Sequence, residues 1–167
     1  MKNEREGIMI LETKARFLYP DRGVSFRKQG RLIQNAFLVS GLVEIIARVL
    51  EEQSPPTEPE RIKLSDGVQL LERLKRAEQY VNQETVNLIP QPEEEINVVS
   101  SIIDEGWHQL GSSIDNAATV IHHIVESEQL PDPLPVNSYR SALELFRTLH
   151  REIMDQLAEI HTDATDP

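Results

Sequence analysis

Glu105 and His108 form a Glu-x-x-His string, and the chain carries five histidines among 28 Asp and Glu residues, so metal chemistry is the first possibility to weigh. Carboxylate-bridged di-metal bundles use two such strings plus a glutamate from each of two further helices, all turned inward. This chain has one. With Ile103 at zero and about 100° per helical residue, Trp107 falls near 40° and Leu110 near 340°, but Glu105 near 200° and His108 near 140°. The candidate ligands therefore point away from the apolar seam, towards solvent. The same projection gathers Asp104, His108, Asp115, His122 and Glu126 into one polar stripe. Its acid–histidine pairs at i,i+4, Asp104 with His108 and His122 with Glu126, would pair on the helix surface or hold a borderline metal. A metal-binding bundle is thus one function class, while the expectation is no metal and no cofactor. His150, beside Leu149 and Ile153, reads as a core-edge histidine.

Nucleophilic and phosphate-handling arrangements are missing. There is no Gly-x-Ser-x-Gly, Gly-x-x-x-x-Gly-Lys, Gly-x-Gly-x-x-Gly or His-Glu-x-x-His string, and the chain has seven glycines and no cysteine. Disulfides, thiolate nucleophiles and thiolate metal sites are excluded together, and an enzyme is not expected. Glu44, set in the most apolar stretch, would be costly to bury unpaired, and Arg48 at i+4 is its expected ion-pair partner.

Charge is divided unevenly along the chain. Residues 1–31 hold eight bases and four acids, whereas residues 32–167 hold nine bases and 24 acids, for a net charge of −11. Arg22, Arg27, Lys28 and Arg31, with Tyr19 and Phe26 among them, would suit a phosphate backbone with an aromatic ring to stack on a base. The alternative is that this basic end lies against the chain's own acidic body. Ser25 would cap the helix that follows, leaving the segment as a loop and first helical turn.

Positioning these residues falls to helices. Phe26 to Gln53 is apolar on nearly every side, as expected of a helix at the centre of a protein or under a partner. Residues 54–64 form a proline-rich linker. A second, amphipathic helix is expected from Asp66 to Ile89, capped by Ser65 and stopped by Pro90. The third begins at Pro92 and Glu93, and its apolar steps Ile96, Val99, Ile103, Trp107, Leu110, Ile114, Ala117, Ile121 and Val125 hold one phase. That phase favours a single helix of about 36 residues and about 54 Å over a break recapped at Ser112. After a proline-rich connection at 129–137, a fourth helix buries Tyr139, Ala142, Phe146, Leu149, Ile153, Leu157 and Ile160, and residues 162–167 are expected to fray. Ile8 to Tyr19 fits helix or extended edge, and helix is preferred.

The expected fold is all-α: one domain over 1–167, a bundle of four main helices with a long third helix, led by a basic segment over 1–25. The richest apolar run, Ala36 to Leu50, carries Glu44 and Arg48, and no leader-like stretch follows Met1, so no membrane span and a cytoplasmic location are expected. Function is expected to be that of a non-catalytic assembly or adaptor subunit, using Phe37, Leu38, Trp107, Ile114 and Ile121 as contact surface towards a protein partner or a second copy. The alternative is a nucleic-acid-associated small subunit, as in RNA-guided defence complexes, using Arg22, Arg27, Lys28 and Arg31.

Overall fold

The computed structural model describes residues 20–82, 93–127 and 129–165. Among these the chain is all-α, with five helices: α1 (Pro20–Glu52), α2 (Glu58–Val81), α3 (Glu93–Asp104), α4 (Leu110–Glu126) and α5 (Val136–Thr165). The expectation for Ile8 to Tyr19 lies outside the described residues, as does the expected end of the second helix at Ile89.

Helix α1 is the spine. Leu32, Ala36, Val39, Leu42, Ile46 and Val49, at steps of three and four, are all at most 8% exposed. Its neighbour along this face is α5, laid antiparallel: Leu32 shares a cavity wall with Ile160, and Leu50 one with Val136 and Leu143. Tyr139 and Phe146, the largest fully buried side chains, belong to α5. Over Arg27–Glu52, α1 is long and apolar enough to cross a membrane by length and composition. Within this fold 44% of its most apolar window is buried, in the core between α1 and its neighbours.

The linker between α1 and α2 is shorter than expected, and α2 starts eight residues before the predicted Asp66. Thr57 is the cap. Its side chain accepts from Glu60 N–H while the Glu60 carboxylate accepts from Thr57 N–H at 2.8 Å, a capping box with proline just inside it. Ser65, the expected cap, lies inside α2 and donates its hydroxyl back to the Arg61 carbonyl.

The single long third helix is corrected to two. Gly106, at φ +105, ends α3: its N–H donates to the Ile103 carbonyl at 2.9 Å, and Trp107 N–H donates to Ile102 at 3.3 Å. This is the bond pattern of a Schellman cap with glycine at the left-handed position. Trp107 is half-buried in the turn, its indole N–H donating to Ser113 Oγ at 3.1 Å in the first turn of α4. The apolar phase survives because the turn happens to preserve spacing, so periodicity alone does not reveal it. Helix α5 continues to Thr165, past the predicted start of the frayed tail.

Candidate functional site

Two surfaces concentrate the residues singled out by sequence, and both are made by α1 and α5. The first is a cavity of about 660 Å³ between the N-terminal half of α1, α3 and the C-terminal half of α5. Lys28 lines it with Glu94, Asp104, Glu105, Glu152, Asp155 and Glu159. Arg31 donates to Glu94 at 3.3 Å, and Glu94 is 4% exposed. The basic residues described in full thus include two that face the chain's own acids. Arg22 lies within α1, its side chain outside the described set, and residues 22–31 are helical throughout, correcting the expected loop. Arg27 has contacts of its own within the fold.

The carboxylates at the start of α3 are the residues that sequence reasoning missed. Read as dipole partners, Glu94 and Glu95 are also buried cross-ties: Glu95 accepts from Arg73 Nε of α2 at 3.1 Å and from Asn35 of α1 at 3.3 Å. Three helices thereby meet on two glutamates. At the other end of the cavity Arg151 donates to Glu105 at 2.6 Å and stands 3.5 Å from Glu152. Burial, followed by a shared proton with Glu105 and that group's charge, pushes the Glu152 carboxyl up to about 7 against the weaker pull of Arg151.

The metal-like string dissolves in this geometry. Glu105 is engaged by Arg151, and His108 sits exposed beyond the Gly106 turn. The polar stripe is divided by the same turn: Asp104 lines the acidic cavity, Asp115 accepts from Lys75 at 3.0 Å, and His122 stands 3.8 Å from Glu126 on solvent-facing α4. Among the described residues no group of three His, Asp or Glu side chains is placed to hold a metal ion. Glu44 is exposed rather than buried, and Arg48 pairs instead with Glu60 at 2.6 Å.

The second surface is apolar. Phe37 is 75% exposed, Met154 46% and Ile33 39%. With Ala36, Ser40, His150 and Leu157 they line a cavity of about 280 Å³ in the α1/α5 seam. His150 is therefore at a core edge, as its position in α5 suggests. Of the expected contact residues, Phe37 is the one that projects into solvent. Leu38 is half-buried against the core, as is Trp107 in its turn, while Ile114 and Ile121 are 2% and 0% exposed and already packed within this chain. Both lie on α4, whose inner face packs against α2 and α5, so with the third helix divided that face is consumed by the fold.

Comparison with protein-family models, curated proteins and solved structures finds no match to this chain.

Proposed function

We propose that this chain is a non-catalytic helical assembly subunit whose contact surface is the α1/α5 seam around Phe37. The observation that carries the reading is a phenyl ring three-quarters exposed between two further exposed apolar side chains, Ile33 and Met154. Isolated exposed apolar residues are ordinary, but three that converge from two helices on one shallow apolar cavity form a patch of the kind that marks protein contacts. An aromatic at its centre is the side chain that most often anchors such a contact. The acidic cavity supports catalysis less well, because Arg151 occupies Glu105 and Arg31 occupies Glu94.

The test is the native size of the chain in lysate. Tagged wild-type chain is expected to elute in an assembly larger than its own 19.1 kDa, and Phe37→Glu is expected to release it. Identical elution of the two would overturn the reading.

A further inference from the structure

We propose that the occupant of the α1/α5 seam is a second copy of this chain, related to the first by a twofold axis running along the helices. The inference rests on the seam being a contact surface and names what covers it.

The argument is one of charge complementarity around the apolar patch. With Phe37 at zero and about 100° per residue, Ile33 falls near 320°, Glu44 near 340° and Glu51 near 320° on α1. With Met154 at zero, Arg147 falls near 20° and Arg140 near 40° on α5. The apolar patch therefore continues, in the direction of the α1 C-terminus, into two acids on α1 and two bases on α5. All four are exposed, and none makes an ion pair with another described residue. Glu51, Arg140 and Arg147 line the same cavity of about 590 Å³ without forming an ion pair with one another, and Glu144 of α5 lines it too, leaving the α5 side basic by one charge.

An isologous dimer needs a face complementary to itself. Because α1 and α5 are antiparallel, turning a second copy about an axis along the helices lays its α5 over the first copy's α1 at the same level. Phe37 of each copy then meets Met154 and His150 of the other. Glu44 and Glu51 of each face Arg147 and Arg140 of the other, and the pairing occurs twice. Turning the second copy about the perpendicular axis in the same plane would lay α1 over α1 and α5 over α5, leaving Arg147 and Arg140 without Glu44 and Glu51 as partners. The charges thus select one arrangement, and the phenyl and thioether contacts supply most of the affinity. At physiological ionic strength screening acts over about 8 Å, so these local pairs outweigh repulsion between the two acidic bodies.

The experiment is sedimentation equilibrium of the purified full chain at about 0.15 M salt, with circular dichroism to confirm that each variant stays helical. Wild type is expected at twice 19.1 kDa, and Phe37→Glu is expected to weaken association more than about a hundredfold. Glu51→Arg and Arg140→Glu should each weaken it about tenfold, since each homodimer sets like charges opposite at this pair. An equimolar mixture of those two variants should re-associate, because the mixed dimer restores both opposite-charge pairs, a rescue that no contact within one chain can produce. A 19.1 kDa species at every concentration, or a mixture of the charge variants that stays monomeric, overturns the second copy as occupant. Either result leaves the lysate test of the assembly reading to stand or fall separately. A dimer untouched by Phe37→Glu likewise overturns the second copy as occupant of the seam.

Discussion

Glu105 and Arg151 are 46 residues apart in the chain and meet at 2.6 Å, tying the end of α3 to the middle of α5. That bond sets the environment of the adjacent Glu152, which is 4% exposed, and fixes how the protein should respond to pH. A carboxyl raised from 4.5 to about 7 is favoured in its neutral form by the fold. Its contribution to stability is fully present below pH 4.5 and is lost as pH rises through about 7. At about 1.36 kcal/mol per pH unit, the full loss is roughly 3 kcal/mol. Glu152→Gln should remove this dependence, so that wild type falls behind the variant between pH 5 and 8. Urea denaturation of both proteins at the two ends of that range checks it, and parallel profiles would contradict a carboxyl held neutral.

Tyr139 offers the opposite kind of test. Its ring is fully buried at the head of α5, and its hydroxyl has no hydrogen-bond partner. Burial of that orphan group raises the phenol's pKa and costs about 1–3 kcal/mol of desolvation. Tyr139→Phe keeps the ring and removes the hydroxyl, so the variant should be as stable as wild type or more so. A fall in Tm would mean that the hydroxyl is satisfied in solution.

Arg31 should behave as a structural residue. Its partner Glu94 is buried between helices, and removing one member of such a pair leaves an uncompensated charge. Because Arg31 itself is 46% exposed, Arg31→Glu should cost about 1–2 kcal/mol, whereas Arg31→Glu combined with Glu94→Gln should recover part of the loss. Thermal melts of the single and double variants decide it, and a single variant as stable as wild type would return Arg31 to the pool of surface cations.

Gly106 is the residue that divides the third segment. At φ +105 any side chain is strained, so Gly106→Ala should destabilise by about 1–2 kcal/mol even though nothing stands within 4 Å of the missing Cβ. An unchanged denaturation midpoint would show that the turn can rearrange.

How much of this was legible beforehand follows from which signals are local. The apolar faces of α4 and α5 were readable from spacing, since Ile121 and Phe146 lie where three-four periodicity puts them, whereas α1, apolar on nearly every side, showed no face of its own. The α3–α4 break was not read, although glycine followed by a bulky apolar residue is a Schellman signature, because an unbroken apolar phase argued for continuity. Thr57, Pro59 and Glu60 carried a complete capping box that was taken for linker, proline density having obscured it. The buried glutamates could not be read at all. Whether Glu94 and Glu95 meet solvent or Arg31 and Arg73 depends on how helices distant in the chain are set against one another.

The capping box at Thr57 also bears on the order in which the chain assembles. Glu60 holds Arg48 of α1 while closing the N-terminus of α2, so the first two helices are fastened across 12 residues. A loop that short closes at little entropic cost, whereas the α1–α5 seam joins segments more than a hundred residues apart and must wait for the rest of the chain. On the ribosome, then, the apolar helix α1 is made before the helix α5 that covers it. Through that interval Leu42, Ile46 and Val49 lack the cover of α5, and the exposure that should limit yield is that of the nascent chain rather than the finished fold.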